Sequence, residues 1–309
     1  MSLPRPSVLA AAPTPLAADL APDAAGLAAH VTALLAQGLD GVLVLGTTGE
    51  GPSFSVDERL GVLDGLAAAG APFHRLLVAT GCPAVPDTVR LSRHALALGA
   101  AGTVVLPPYY YAGVDTEGLY AAYSRIIEGV GHDGAWLYLY NFPYHTGLAL
   151  EHDLIERLVT TYPDTVGGLK DSSGDLDGMR LLTRAFPRLR VFSGSDRHLR
   201  RLVSAGGGGS ITALNTVAGD LSAAVRDAPE SEAAVAAQNR LDALRDVFRG
   251  LPLTAALKEA AVHASWDAGW RRVRPPLRPL TRDEIETVRA RLDAGGFRAP
   301  ATRLAPEAP

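Results

Sequence analysis

The sequence predicts an α/β fold, a (β/α)8 TIM barrel with a C-terminal helical appendage. Between residues 8 and 229, eight short apolar stretches alternate with helical stretches, and the connections between them are short. Nearly continuous apolar strands are typical of a parallel sheet covered on both faces, and eight such units close into a barrel. The alternative is a doubly wound open sheet, which would have fewer strands and a phosphate-binding glycine fingerprint. The glycine run at 206–209 does not fit that fingerprint and follows a helix.

The predicted strands are apolar runs that end at glycine, proline or polar residues. We expect them at 8–12, 41–46, 75–81, 103–106, 135–140, 166–170, 189–193 and, after the glycine run, up to residue 213. Apolar residues at helical spacing, such as Leu27, Val31 and Leu34, predict the helices between them. These helices are expected within 23–37, after a capping box at 55–58, around 91–98, over about 116–130, around 154–159, around 181–186 and over 199–203.

The last third of the chain is predicted to be helical. One apolar stripe consists of Ala237, Leu241, Leu244 and Phe248, and further helices are expected at 253–266 and after a capping pattern at 281–284. The three prolines within 274–280 predict an extended linker, because proline disrupts a helix interior. We therefore predict a catalytic barrel domain at 1–229 and, at 230–309, helices packed on the barrel with a frayed tail after about residue 297.

Composition excludes several classes of partner. The 309 residues carry a formal net charge of -4, so a nucleic-acid partner is not expected. The one cysteine, Cys82, cannot form a disulfide within the chain, which suits the cytosol. No paired histidines resemble a metal site, and no secretory signal or membrane-spanning stretch is apparent. We expect a cytoplasmic protein without a metal or an organic cofactor.

The strand at 166–170 ends in Lys170, an unusual residue in an otherwise apolar run. A desolvated lysine loses its proton more readily and becomes a nucleophile towards carbonyl groups. We therefore expect Lys170 to form a Schiff base with a 2-oxo acid. The alternative is an ordinary surface lysine at the end of a strand.

Polar residues follow the ends of other predicted strands, which meet at one face of a barrel. Thr47, Thr48 and Gly49 lie in a turn that could bind a carboxylate, or the threonines could satisfy the backbone of their own turn. Tyr140 is a candidate acid/base, or an ordinary aromatic strand residue. Tyr110 could extend a proton relay through Thr47, or pack at a subunit interface.

Two acidic residues follow strand ends as well. Asp196 could accept hydrogen bonds from substrate hydroxyls, or it could cap the helix that begins near Arg197. Glu50, at the end of the threonine turn, is expected to be a structural anchor rather than a catalytic group.

Five segments in this order carry a family resemblance: 45–53 (LGTTGEGPS), 108–111 (PYYY), 139–147 (LYNFPYHTG), 168–171 (GLKD) and 193–196 (SGSD). Over about residues 8–297 the chain resembles the dihydrodipicolinate synthase / N-acetylneuraminate lyase family of class I aldolases. The resemblance implies a barrel, a pyruvate Schiff base on Lys170, carboxylate binding by Thr47 and Thr48, and Tyr140 as acid/base. It further implies a homotetramer, a dimer of dimers in which Tyr110 reaches a neighbouring site.

One position departs from the dihydrodipicolinate synthase pattern. His145 stands where those enzymes usually have an arginine for the carboxylate of the second substrate, and imidazole is a weaker carboxylate partner than guanidinium. The remaining motifs look more like 2-keto-3-deoxygluconate aldolases, in which a second tyrosine often occupies the place of Phe142. We expect His145, Asp171 and Ser172 to help select the substrate.

The leading functional prediction is a pyruvate-dependent aldolase that cleaves or forms a 2-keto-3-deoxy sugar acid or a related 4-hydroxy-2-oxo acid, with pyruvate and an aldehyde as its small-molecule partners. The first alternative is a dihydrodipicolinate synthase that condenses pyruvate with aspartate semialdehyde. A second alternative is a non-catalytic barrel that binds 2-oxo acids. A metal-dependent class II aldolase would need a ligand cluster that the sequence lacks.

Overall fold

The central feature of the computed structural model, which describes residues 6–264 and 267–297, is a closed barrel of parallel strands. The strands are β1 Ser7–Ala11, β2 Gly41–Val44, β3 Leu76–Ala79, β4 Gly102–Val105, β5 Leu137–Asn141, β6 Val166–Asp171, β7 Arg190–Ser193 and β8 Gly209–Thr212. Each strand pairs with the next in the chain, and β8 closes the barrel by pairing with β1. The predicted (β/α)8 barrel is confirmed, and the open sheet is excluded.

Helices connect the strands and cover the outside of the barrel. They are α1 Ala24–Ala36, α2 Val56–Ala68, α3 Val85–Ala97, α4 Thr116–Val130, α5 Pro143–Thr146, α6 His152–Thr161, α7 Leu176–Ala185, α8 Leu199–Ser204 and α9 Asn215–Asp227. The predicted capping box is present at the start of α2, where Ser55 and Glu58 each bind the other's backbone N–H. The four-residue helix α5 was not predicted, because it is too short to show a helical period.

Two element boundaries differ from the prediction for identifiable reasons. Strand β2 ends at Val44 rather than Gly46, because Leu45 adopts a left-handed conformation with φ of 58°. Helix α3 begins at Val85, well before the predicted apolar stripe around 91–98. Pro86 lies in the first turn of α3, where proline is tolerated because that N–H has no partner within the helix.

The C-terminal helices are α10 Glu232–Val247, α11 Leu253–His263 and α12 Arg282–Ala294. Leu241 of α10, Leu257 of α11 and Val288 of α12 belong to the same buried cluster as Leu27 of α1. The appendage therefore shares a core with the barrel. The segment 274–280 contains neither helix nor strand, as predicted. The predicted end of the helix at 253–266 and the tail after 297 fall on residues outside the described part of the chain.

Side chains of the strands alternate between the barrel interior and the layer beneath the helices, as a period of two requires. Tyr138 and Tyr140 of β5 lie in the interior cluster, whereas Leu139 packs in the outer layer. On β6, Leu169 packs outward, so its neighbour Lys170 points into the barrel. Gly168 faces the same way, because a Cβ there would lie 2.5 Å from the Tyr138 ring. The alternation thus places Lys170 and Tyr140 on the inner wall.

No helix of the described residues is long and apolar enough to cross a bilayer.

Candidate active site

Lys170 and Tyr140 are direct neighbours across the β5–β6 ladder. The Nζ atom of Lys170 lies 4.2 Å from the centroid of the Tyr140 ring, and the two residues are 4% and 3% exposed. Within the described residues, Lys170 forms no ion pair with any carboxylate. The surface-lysine interpretation is therefore excluded, because the amine is buried on the inner wall of the barrel. Burial of an amine without a partner carries a cost in free energy.

The threonine turn after β2 lies beside this pair. Thr47 lines a small cavity together with Gly46 and Tyr140. The backbone N–H of Gly51 donates to the carbonyl of Gly46 at 3.1 Å, and that of Glu50 donates to the carbonyl of Thr47 at 3.2 Å. In the described part of the chain, the hydroxyls of Thr47 and Thr48 have no hydrogen-bond partner. Both hydroxyls are thus available to a ligand rather than occupied by their own turn.

Gly49 is held from the other side of the turn. The hydroxyl of Thr14, after β1, donates to the carbonyl of Gly49 at 2.7 Å. A Cβ at Gly49 would lie 2.9 Å from the carbonyl oxygen of Ala12, so glycine is needed for this close approach. Thr14 had no role in the sequence-based prediction, because nothing in its local pattern indicates this contact.

A second pair joins the ends of β5 and β6 on the outer side of the barrel wall. Asn141 Nδ2 donates to Asp171 Oδ2 at 2.9 Å, and the N–H of Leu150 donates to Asn141 Oδ1 at 3.0 Å. The other Asp171 oxygen accepts from the backbone N–H of Ser173 at 2.8 Å and from its hydroxyl at 2.5 Å. Asn141 and Asp171 directly follow Tyr140 and Lys170 in the chain. Their bond therefore fixes the two strand ends that carry the inward-facing pair.

Tyr110 lies apart from this centre within one chain. It is 84% exposed, and its ring contacts the Tyr111 ring edge-on at 5.5 Å. No hydrogen bond joins its hydroxyl to Thr47 among the described residues. The predicted relay through Tyr110 stays a prediction that requires a second copy of the chain. The preceding Tyr109 is half-buried, and burial raises the pKa of its phenol.

Asp196 is buried, and its carboxylate faces the outer layer rather than the barrel interior. Thr212 of β8 donates its hydroxyl to one oxygen, and Arg245 of α10 lies 3.7 Å from the other. Burial raises the pKa of this carboxyl group, although Thr212 and Arg245 oppose the effect. Ser195, not Asp196, occupies the N-cap position of the short turn Asp196–His198. Neither the substrate-binding nor the capping interpretation is favoured by these contacts.

His145 is joined to Tyr140 by a row of aromatic rings. The Phe142 ring stacks on the Tyr140 ring with centroids 5.5 Å apart, and the His145 ring centroid lies 4.2 Å from that of Phe142. His145 is exposed at the surface, but partial desolvation lowers the pKa of its imidazole below the ordinary value of 6.5, so the neutral form predominates at neutral pH. A neutral ring is the weaker carboxylate partner that the sequence predicts.

Ser172 is half-buried just beyond Lys170, and its N–H donates to the carbonyl of Asn141 at 2.8 Å. Gly194 packs against it so closely that a Cβ there would lie 2.0 Å from the Ser172 hydroxyl oxygen. The serine is thus held at the rim by the ends of β5 and β7, and its predicted contact with substrate stays a prediction.

Lys258 of α11, which binds Glu50 at the end of the threonine turn, was not predicted from the sequence. Of the 29 lysines and arginines in the chain, only Lys170 and Lys258 are lysines. Lys258 is fully buried and forms an ion pair with Glu50 at 2.5 Å. The signal available was a lysine in the alanine- and leucine-rich stretch 253–262, where Glu259 is the other charged residue. No group of three or more potential metal ligands is present in the described ranges.

The sequence as a whole matches one protein family. The model of the Dihydrodipicolinate synthetase family matches residues 5–295. The chain belongs to this family. The resemblance seen in the motifs is thereby confirmed, and the chain is an enzyme of the carbon–carbon lyase (aldolase) type.

Individual members of the dihydrodipicolinate synthetase family are similar over nearly the whole chain. A DapA-like lyase of Chloroflexus aurantiacus is 38% identical over 292 residues, which cover 94% of this chain and 96% of that protein. Dihydrodipicolinate synthase of Agrobacterium tumefaciens superposes with a TM-score of 0.87 at 30% identity, covering 94% and 99% of the two chains. The prophage protein YagE of E. coli, solved in complex with pyruvate, superposes with a TM-score of 0.86 at 27% identity, covering 94% of this chain and 98% of that one.

Proposed function

We propose that this family member is a pyruvate-dependent class I aldolase that forms its Schiff base on Lys170. The observation that carries the proposal is the buried amine of Lys170, which lies 4.2 Å from the Tyr140 ring and has no carboxylate partner among the described residues. The pyruvate bound to the similar protein YagE supports a 2-oxo acid as the ligand.

The chemistry assigned to these residues begins with addition of the neutral Lys170 amine to the C2 carbonyl of pyruvate. The carbinolamine loses water to give an iminium ion, and loss of a C3 proton then gives an enamine that adds to an aldehyde. The reverse sequence cleaves the C3–C4 bond of a 4-hydroxy-2-oxo acid. The Tyr140 hydroxyl is the group positioned to move the protons. The free hydroxyls of Thr47 and Thr48 would bind the C1 carboxylate.

Two substrate classes remain as candidates. The motifs around Lys170 and Tyr140 support a 2-keto-3-deoxy sugar acid or a related 4-hydroxy-2-oxo acid. The likeness to the A. tumefaciens dihydrodipicolinate synthase supports aspartate semialdehyde instead. A neutral His145 gives the carboxylate of aspartate semialdehyde a weak partner. The two candidates are separated by comparing cleavage of ketodeoxygluconate with condensation of pyruvate and aspartate semialdehyde.

We also propose a cytoplasmic homotetramer built as a dimer of dimers. The exposed rings of Tyr110 and Tyr111, 84% and 74% exposed, support a subunit contact at this loop. Exposed aromatic rings in one cluster are typical of protein interfaces. Sedimentation of the wild type and of Tyr110→Ala would test the contact, because we expect the wild type to sediment as a tetramer and the variant to dissociate into smaller species.

The Schiff base is tested by trapping with borohydride in the presence of pyruvate. Lys170 and Lys258 are the only lysines, so a reduced adduct is mapped by mass spectrometry to one of two peptides or to the N-terminus. We expect the adduct on Lys170 alone, and none in Lys170→Arg, because a guanidinium does not lose its proton. An unmodified Lys170 in active enzyme would contradict the proposal.

A further inference from the structure

The second lysine of the chain is buried as deeply as any residue in the protein. Lys258 of α11 and the side chain of Glu50 are both fully buried, and their ion pair is 2.5 Å long. Apart from Lys170 and Lys258, each of the 29 lysine and arginine positions of the chain is an arginine. A compact ammonium can enter a closed space that a guanidinium could not fill in the same way. The use of lysine here indicates a site with a defined geometry.

The ion pair is part of a larger set of bonds between the threonine turn and the C-terminal appendage. Lys258 Nζ also donates to the carbonyl of Arg272 at 2.7 Å. The second oxygen of Glu50 accepts the backbone N–H of Arg274 at 2.7 Å. Both carboxylate oxygens of Glu50 are thus bound by residues more than 200 positions away in the sequence.

The turn that carries Thr47 and Thr48 has an unfavourable backbone conformation. Leu45 and Glu50 at its two ends both have φ of 58°, a left-handed conformation that residues with a side chain rarely adopt. A Cβ at Gly51 would lie 1.8 Å from the carbonyl oxygen of Leu45, so the turn folds back tightly on its own start. Such a conformation persists only where the surrounding structure holds it.

A buried ion pair is weak evidence for a contribution to stability, because desolvation of both charges offsets their attraction. Desolvation lowers the pKa of the Lys258 ammonium, and the Glu50 carboxylate opposes that shift. An apolar pair could fill the same space, but it could not bind the backbone of Arg272 and Arg274. The charged pair therefore supplies directional hydrogen bonds, from Lys258 to the carbonyl of Arg272 and from the N–H of Arg274 to Glu50, at the end of the turn.

We propose that Glu50 and Lys258 are positioning residues, which hold the threonine turn in its ligand-binding conformation from the C-terminal appendage. The proposal rests on the proposed function to the extent that the turn binds the carboxylate of pyruvate. The appendage then belongs to the catalytic unit, since it supplies the ammonium that fixes the turn.

The test compares Glu50→Gln and the double variant Glu50→Gln/Lys258→Met with the control Glu58→Gln. Glu58 also binds Arg274, at 2.7 and 2.9 Å, but it lies on α2 outside the turn. Glutamine is still compatible with the capping box at that position. The double variant leaves no unpaired buried charge, so it is expected to fold even where the single variant does not.

Two readouts are measured on each folded, full-length variant. The first is hydrogen exchange of the peptide that contains residues 45–51 without ligand, which we expect to be about tenfold faster in both Glu50 variants than in Glu58→Gln. The second is the pyruvate concentration that gives half-maximal trapping at Lys170. We expect it to rise about tenfold to a hundredfold, with the maximum extent of trapping unchanged, because displaced donors weaken binding.

Unchanged exchange and unchanged half-saturation in the Glu50 variants would overturn the positioning role. Loss of folding in both variants would also overturn it, because the pair would then be a requirement of the fold. If the wild type formed no adduct at all, the proposed function would fail. The exchange measurement would still decide whether Glu50 and Lys258 hold the turn.

Discussion

The amine of Lys170 lies over the ring face of Tyr140, 4.2 Å from its centroid. The two residues are paired in register on β5 and β6, so the contact is set by the sheet rather than by a loop. Sites built on regular elements are held more precisely than sites on loops. The contact also brings the phenol hydroxyl and the amine to the same inner wall, where a proton could pass between them through bound substrate.

Tyr140→Phe keeps the ring under the Lys170 amine and removes only the hydroxyl. We expect kcat to fall by about a hundredfold to ten thousandfold, the usual range for loss of a general acid/base, with little change in KM for pyruvate. Tyr138→Phe is the matched control, because Tyr138 is also buried and inward-facing on β5, whereas within the described residues the cation–π contact of Lys170 is with Tyr140. Equal kcat in the two variants would remove the proton-transfer role from Tyr140.

Asn141→Ala removes the side-chain donor that joins β5 to Asp171 of β6. The buried carboxylate of Asp171 then lacks one of its partners, and we expect the free energy of unfolding to fall by about 1–3 kcal/mol in urea titrations. Ser204→Ala, at a site exposed to solvent, should change it by less than about 0.5 kcal/mol. An unaltered stability of Asn141→Ala would show that the bond does not fix the strand ends.

Acid should destabilise the protein through His30, which is fully buried and contacts Trp270 with ring centroids 5.0 Å apart. Burial lowers the pKa of His30 from 6.5 to about 3. Below pH 6.5 the unfolded chain binds a proton at this residue that the folded chain does not. The contribution of neutral His30 to the free energy of unfolding is therefore fully present above pH 6.5. It is lost as the pH decreases towards 3, by up to about 1.4 kcal/mol per pH unit.

The measurement is the difference in unfolding free energy between the wild type and His30→Gln, followed from pH 7.5 to the acid limit of folding. The difference should shrink with falling pH, because the variant lacks the titrating group. His94→Gln, at a surface histidine paired with Asp64, is the control. A difference that is constant with pH would mean that His30 binds its proton equally in the folded and unfolded states.

His145→Arg should change the preference between the two candidate substrates, aspartate semialdehyde and ketodeoxygluconate. A guanidinium binds a carboxylate with two parallel hydrogen bonds, whereas the neutral imidazole of His145 offers at most one donor. We expect kcat/KM for aspartate semialdehyde to rise about tenfold relative to kcat/KM for ketodeoxygluconate. Tyr144→Arg, at the neighbouring residue that is 87% exposed, controls for added charge. The same ratio in both variants would argue against a specificity role for position 145.

Much of the fold follows from short-range patterns. The apolar runs predicted all eight strands, and the Ser55 and Thr281 capping boxes predicted the starts of α2 and α12. Errors occurred where backbone conformation departs from the pattern, as at Leu45, or where proline enters the first turn of a helix, as at Pro86. The positions of Lys170 and Tyr140 followed from strand ends alone, since parallel strands in a barrel end on one face.

By itself the sequence determined the barrel, the family and the lysine at the end of β6, because each depends on residues close together in the chain or on an ordered set of motifs. Only the tertiary structure decided which way the polar groups face. In the structure, Asp196 faces outward and accepts a hydrogen bond from Thr212, and Glu50 forms an ion pair with Lys258. The physical reason is that a buried charge must be paired, and its partner is set by tertiary packing. Local periodicity carries no information about a partner 208 residues away in the sequence.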